Sequence, residues 1–193
     1  MTRPFAVSWL LGTLLPDWEP ASTTPRRYAV TCSALGVVGV LEDRMISQKL
    51  VGLIEAHAKD LAERWLTEVR HNQKTPTYHA FAEGRLRERV VDVYANLGRF
   101  VGHEDRREEV ERVYTALSVE RHGEGFRLSE VIEALTLTRG VLWRYVLEHG
   151  FFDSAVELYQ TLELYNRVVN FFDRAIFYTA RGYEKASDLR RSA

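Results

Sequence analysis

The stretch LYQTLELYNRVVNFFDRAIFYTARGY, residues 158–183, decides the fold, because its apolar residues recur along one side of a helix. The recurrence alternates steps of four and three residues, which is a heptad repeat with a period of about 3.5 residues. Its members are Leu158, Leu162, Tyr165, Val169, Phe172, Ile176 and Tyr183, and Thr179 keeps the spacing. The repeat predicts one long helix that starts at Asp153 and runs almost to the C terminus.

The same helix carries apolar residues beside the repeat, including Tyr159, Phe171, Phe177 and Tyr178. A helix with two apolar sides can pack one side on its own bundle and offer the other to a second copy or a partner protein. It can equally be the central helix of a bundle, surrounded on most sides. We predict that the repeat is a dimer or partner seam, and the central-helix interpretation stays open beside it.

Upstream of this helix, apolar residues also recur at helical spacing, and no strand-like alternation of useful length occurs between residues 45 and 193. A first helix is predicted over residues 46–71, with an inward stripe of Leu50, Ile54, Ala58, Leu61, Trp65 and Val69. A second helix is predicted from Pro76 to Gly102, with Thr75 as its cap. A third is predicted from Glu104 to Gly123, and its inward residues are Val110, Val113, Tyr114 and Leu117. A fourth is predicted from Ser129 to Gly150. The prediction is an all-α bundle of five to six helices with a long C-terminal helix.

Proline divides the chain. Pro4, Pro16, Pro20 and Pro25 lie in its first part, whereas the rest contains only Pro76, so helix can dominate only after the first segment. Met45 stands where the helical pattern begins. We predict that residues 1–44 are a poorly packed extension or a mis-assigned start, and that residues 45–193 form the functional domain. A native N-terminal peptide from residues 1–44, found by mass spectrometry, would contradict the second alternative.

Charge and composition exclude several classes of function. The formal net charge is −1, which gives no basic field for nucleic acid or an acidic membrane. Two apolar runs occur early in the chain, FAVSWLLGTLLP (residues 5–16) and YAVTCSALGVVGVL (residues 28–41), and both are shorter than the roughly 18 residues of a membrane-spanning helix. The single cysteine, Cys32, allows neither an internal disulfide nor a cysteine-based zinc cluster and fits a reducing cytoplasm. We therefore expect a cytoplasmic protein that binds neither nucleic acid nor membrane.

Motifs that carry chemistry are missing from the sequence: it has no nucleophile elbow, P-loop, dinucleotide fingerprint or zinc-protease motif. His57 and Asp60 share a helical face, but a hydrogen-bonded histidine is commoner there than a haem or metal ligand. Glu130 and Glu133 lie in a first helical turn, where carboxylates favour the macrodipole. Arg85, Arg87 and Arg89 alternate with acids and predict a solvated face. We expect no catalytic residue, no cofactor and no metal.

Polar residues also interrupt the aromatic C-terminal helix, among them Asn166, Asn170 and Asp173. Asp173 is placed to pair with Arg139 or Arg174 near the core. A buried pair of this kind fixes one packing arrangement at some cost in stability, which favours a structural role over ligand sensing.

Three segments together resemble the N-terminal domain of the RsbR and RsbD type stressosome co-antagonists. These segments are LIEAHAKDLAERWLTEV (residues 53–69), RHGEGFRLSEVIEALTLTRGVLWRYV (121–146) and FFDRAIFYTARGYE (171–184). The resemblance covers approximately residues 46–186. Its most specific parts are the turn before Leu128, the spacing from Arg139 to Trp143, and Asp173-Arg174-Ala175, none of which is catalytic.

The resemblance implies a non-haem, globin-like helical sensor that dimerises through its C-terminal part and signals in stress control. It implies a STAS-domain protein or a signalling kinase as the output. Because the sequence given ends at Ala193, with no room for a STAS domain, we expect the output to reside on another polypeptide. The alternative that we keep is a globin-like sensor that binds haem or a small ligand.

Overall fold

The computed structural model describes residues 48–102, 106–149 and 154–191, which are helical apart from short connections and contain no strand. The prediction of an all-α fold with a long C-terminal helix is confirmed. The helices are α1 (residues 48–56), α2 (Ala58–His71), α3 (Pro76–Ala80), α4 (Glu83–Ala95), α5 (Leu97–Val101), α6 (Arg107–Gly123), α7 (Leu128–His149) and α8 (Ala155–Arg191). The predictions for residues 1–44 and the helix starts at Glu104 and Asp153 lie outside the described residues.

The described residues form more helical segments than predicted because two predicted helices are interrupted. The first turns at His57, between α1 and α2, and the second divides into α3, α4 and α5. Phe81 adopts an extended conformation after α3 and places its ring 4.9 Å from that of Phe126. The side chain of Asn96 donates to the carbonyl of Asp92 at 2.9 Å, a local bond that competes with helix continuation.

The inward stripe predicted for the first helix is confirmed, because all six of its residues are buried. The prediction for the helix before Gly123 is wrong at one position, since Val113 is 37% exposed while Tyr114 beside it is buried. Gly125 follows α6 with a φ of +85°, a left-handed conformation that glycine adopts without strain. The predicted break after α6 is therefore confirmed.

Thr75 precedes α3 as predicted, but its hydroxyl does not cap that helix. The Thr75 hydroxyl donates backwards to the Val69 carbonyl at 2.6 Å. The cap comes instead from Glu130 of α7, whose buried carboxylate accepts the Thr77 amide at 2.8 Å and the Thr77 hydroxyl at 3.1 Å. Glu130 lies in the first turn of α7, as predicted, and it also satisfies the N terminus of a neighbouring helix.

The arginines of α4 do not all belong to a solvated face. Arg87 pairs with Glu63 and Glu83 at the surface, as the interleaved acids suggest. Arg89 is 20% exposed and pairs with Glu120 of α6 and with Glu124, the residue that follows α6. The α4 arginines thus divide between surface pairs and a partly buried cluster that joins α4 to α6.

Gly182 allows α8 and α6 to approach closely. A Cβ atom added at Gly182 would lie 1.8 Å from the Ser118 hydroxyl oxygen and 2.9 Å from the Ser118 Cβ. Ser118 itself is buried, and its hydroxyl donates to the Thr115 carbonyl at 2.6 Å. The helices therefore touch at a position that only glycine fits.

Substituting Gly182→Ala is expected to destabilise the domain. The clash is an overpacking defect that costs about 1–3 kcal/mol, partly offset by the better helix propensity of alanine. The matched control is Gly84→Ala, because a Cβ at Gly84 meets no atom within 4 Å, so that variant should unfold at the same temperature or higher. The measurement is thermal unfolding followed by circular dichroism. Equal melting temperatures for both variants would contradict the close contact.

Candidate partner-binding surface

The start of α8 is fixed by a reciprocal capping pair. The Glu157 carboxylate accepts the Ser154 amide at 3.0 Å, and the Ser154 hydroxyl accepts the Glu157 amide at 3.2 Å. This capping box satisfies two amides that the first turn would otherwise leave unpaired. It sets the first residue of the helix and therefore which side chains face the bundle.

One side of this first part of α8 packs against the bundle. Leu164, Val168 and Phe171 are buried there, and Gln160 is also buried. The opposite side holds four large apolar side chains within an arc of about 120°, given 100° per residue. They are Leu158, Tyr159, Leu162 and Tyr165, which are 51%, 68%, 53% and 44% exposed. We call these four residues the α8 apolar surface.

Helix α7 extends the α8 apolar surface through an aromatic contact. The rings of Trp143 and Tyr165 lie 4.9 Å apart. The indole nitrogen of Trp143 is buried but has no hydrogen-bond partner among the described residues. A buried donor without a partner is uncommon, so it distinguishes this edge of the surface from an ordinary core contact.

Charged pairs border the α8 apolar surface. Glu163 and Arg167 lie 3.7 Å apart on α8, and Arg139 of α7 lies 3.3 Å from Asp173. The predicted pairing of Asp173 with Arg139 is confirmed, but its predicted place near the core is wrong, since the Asp173 side chain is 62% exposed. An apolar centre with a charged border is typical of surfaces that bind proteins.

The residues predicted as a seam do not share one environment. Leu158, Leu162 and Tyr165 are exposed, Val169 and Ile176 are half-buried, and Phe172 and Tyr183 are buried inside the chain. The Tyr183 hydroxyl donates to the Phe126 carbonyl at 3.2 Å. The seam prediction is therefore corrected for Phe172 and Tyr183, whose side chains belong to the core of this chain and are not available to a partner.

The length of α8 explains this division. Its 37 residues span about 55 Å at about 1.5 Å per residue, so no single neighbouring helix covers all of it. Helix α6 packs on α8 from about its middle onward, as the contacts of Phe171 with Tyr114 and of Gly182 with Ser118 show. The side chains of the repeat are consequently covered where α6 packs on α8, and they are exposed in the part of α8 that precedes this contact.

No histidine among the described residues belongs to an assembled set of metal ligands. The Nδ1–H of His57 donates to the Leu53 carbonyl at 2.9 Å, and its ring contacts that of Tyr145. A hydrogen-bonded structural histidine, as predicted, is what the geometry shows. Within residues 48–102, 106–149 and 154–191, no group of three or more metal-ligating side chains is assembled.

Comparison with known proteins gives one match. A protein-family model described as the RsbT co-antagonist protein rsbRD N-terminal domain matches residues 59–192, which is more than half of the chain. No curated protein and no solved structure shows significant similarity to it. None of the helices in the described ranges has both the length and the apolar character needed to cross a bilayer.

Proposed function

Because this chain belongs to the family of RsbT co-antagonist protein rsbRD N-terminal domains, we propose that it regulates by protein contacts and catalyses no reaction. Family membership makes it a regulatory domain of the stressosome co-antagonist type. The proposal adds that the α8 apolar surface makes the contacts and that the protein acts in the cytoplasm, where the stress-signalling partners implied by the family would be found.

One observation carries the proposal: four large apolar side chains stand 44–68% exposed on adjacent turns of one helix face. Burying apolar surface is favourable by about 25 cal/mol per Å². Contiguous apolar patches on a protein surface mark interaction sites more often than isolated exposed residues do. Aromatic residues are enriched in such interfaces, and Tyr159 and Tyr165 fit that composition.

A second copy of the chain is the proposed occupant of the α8 apolar surface, and a STAS-domain protein or a signalling kinase receives the output. Self-contact is supported by the α8 repeat, which continues from the open part of the helix into the core. Two such helices, paired along their open halves, would connect the cores of two protomers. A shift in one core would then reach the shared surface through a continuous helix.

Co-purification from native cells tests the output side of this proposal. The tagged chain, crosslinked before lysis, is expected to recover a protein that contains a STAS domain or a signalling kinase. The Leu162→Glu form serves as the comparison, because it places a charge in the middle of the α8 apolar surface and so breaks the self-contact on which, in this proposal, binding of the output protein depends. Recovery of neither class of protein, or equal recovery with both forms, would contradict the proposal.

The haem alternative has less support from the geometry. A surface pocket of about 460 Å³ contains His71 and His79, but it is open to solvent and lined mainly by charged and polar side chains, which suits haem poorly. The cavity between α2, α3, α4, α6 and α7 measures about 50 Å³, whereas pockets for drug-sized ligands span roughly 300–1,000 Å³. Its lining contains no histidine from the described part of the chain. A much smaller ligand is compatible with this cavity.

A further inference from the structure

The cavity of about 50 Å³ inside the bundle has a mostly apolar wall. Five helices contribute to this wall, and each supplies at least one side chain whose exposed fraction is 4% or less. Examples, in chain order from α2 to α7, are Trp65, Tyr78, Val90, Tyr114 and Val131. The wall therefore consists mainly of deeply buried side chains.

The cavity approaches the surface between α4 and α6. Val93 of α4 and Leu117 of α6 line it and are partly exposed. Arg89 lies at the same edge and pairs with Glu124 at 2.8 Å. This edge is therefore the part of the wall through which a small molecule can enter, and two apolar side chains flank the way in.

The charged side chains on the wall already have partners. Arg89 and Arg121 both donate to the Glu124 carboxylate, at 3.0 and 3.1 Å. Burial raises the pKa of Tyr78 and of Tyr114 well above that of a free phenol, so both hydroxyls stay neutral. An ionic ligand would lose its hydration and would find no unpaired charge among the described wall residues. The wall therefore favours a neutral ligand.

Several polar groups on the wall are also occupied by bonds within the protein. The Ala134 carbonyl accepts from the Trp65 indole nitrogen at 3.1 Å and from the Thr138 hydroxyl at 2.8 Å. Within the described part of the chain, no side chain of this wall has a buried nitrogen or oxygen atom without a hydrogen-bond partner. The volume would hold about three or four waters, which would need more polar partners than these bonds leave on the wall. Apolar cavities of this kind stay dry and can bind apolar molecules.

We propose that this cavity binds a neutral apolar molecule of about two or three non-hydrogen atoms, the size of dissolved gases such as dioxygen. The ligand contacts Leu86, Val90 and Val131. Because so small a molecule makes few contacts, its dissociation constant should be on the order of 1 mM. This inference rests on the proposed regulatory function, because it names the class of stimulus that the domain detects.

Tyr114 connects the cavity to α8. Its side chain lines the cavity, and its ring lies 5.8 Å from that of Phe171. Ser118, one turn later on α6, lies against Gly182 of α8. A molecule that fills the cavity presses on Tyr114 and so alters the contact between α6 and α8. The helix that carries the α8 apolar surface therefore responds to the ligand.

Xenon is the probe for this site, because it is uncharged and apolar and binds dry cavities. The full chain, with isotopically labelled leucine and valine methyl groups, is titrated with xenon under pressure and followed by NMR. The methyl signals of Leu86, Val90 and Leu135 should shift saturably with one dissociation constant. Those of the exposed Val119 and Leu189 should not. Methanol is similarly small but polar, and a saturable shift with methanol at the same methyl groups would contradict the apolar character of the site.

Val131→Ile is the test variant, because its added methyl group fills part of the cavity. It should weaken xenon binding at least about fourfold, the effect of roughly one methylene group of lost contact. Filling a void should also keep or raise the melting temperature. Val110→Ile is the matched control, since Val110 is equally buried but does not line the cavity. Overpacking there should lower the melting temperature and leave xenon binding unchanged.

Val168 of α8 reports on transmission, because it is buried but lies outside the wall. Its methyl signals should show a smaller shift with the same dependence on xenon. Absence of saturable shifts at the wall, or equal weakening by Val131→Ile and Val110→Ile, would overturn the site. A wall that responds while Val168 stays unchanged would overturn the ligand's role as a stimulus. None of these results bears on co-purification with a STAS-domain protein or kinase, so failure of the ligand site and failure of the proposed function remain distinguishable.

Discussion

Phe172→Glu is expected to unfold the domain. The Phe172 side chain is fully buried, and its ring contacts that of Phe171 at 5.0 Å. Removing a buried phenylalanine alone costs about 3–5 kcal/mol, and burying an unpaired carboxylate costs more. Together these penalties approach the roughly 5–15 kcal/mol of stability that is typical of a whole domain. Circular dichroism should show loss of helix at room temperature or a melting temperature lowered by tens of degrees.

Phe177→Glu is the matched control for this prediction. Phe177 lies on the same helix but is 56% exposed, so a glutamate there remains in water and should change the free energy of unfolding by about 0.5 kcal/mol or less. If Phe172→Glu melted like Phe177→Glu, the second half of α8 would not be part of the core. Phe172 would then return to the partner seam that the repeat predicted.

Unlike Phe172→Glu, Leu162→Glu is expected to leave the fold intact and to weaken self-association. Leu162 is 53% exposed and lies in the middle of the α8 apolar surface. In the free chain the new carboxylate stays solvated, whereas in a contact between copies it would be buried without a partner. Self-association should weaken at least about tenfold, which corresponds to about 1.4 kcal/mol. Light scattering over a concentration series gives the molar mass, and circular dichroism checks the fold.

Leu189→Glu provides the comparison, because Leu189 is 66% exposed near the other end of the same helix and outside the α8 apolar surface. It should associate as the natural chain does. Equal dissociation by both substitutions would point to a general effect of charge on α8, and no dissociation by Leu162→Glu would remove this surface from the contact.

The sequence predicted the helical content of α8 well and its environment only in part. A repeat of three and four residues shows that side chains share one face of a helix, and all members of the repeat do so. Which part of that face is covered depends on where α6 packs, and this is set by long-range contacts such as Gly182 against Ser118. Gly182 could have indicated this contact from the sequence, because a glycine inside a long helix costs stability and suggests a close approach of another helix.

Two other features were beyond the reach of local patterns. Glu130 occupies a first helical turn, where a carboxylate is ordinarily explained by its own helix. Its role in capping α3 depends on Thr77, which lies 53 residues earlier in the chain. The cavity likewise combines side chains from five helices, and no periodicity in one segment indicates that Tyr78, Tyr114 and Arg121 share a wall.

The central claim is that the α8 apolar surface touches another protein molecule, and residue-specific photocrosslinking tests it most directly. A benzophenone amino acid replaces Leu162 in one form of the full chain and Leu189 in another, and both forms are irradiated in native cells. The account predicts crosslinks from position 162 to a second copy of the chain and far fewer from position 189. Equal yields from both positions, or no intermolecular product from position 162, would contradict it.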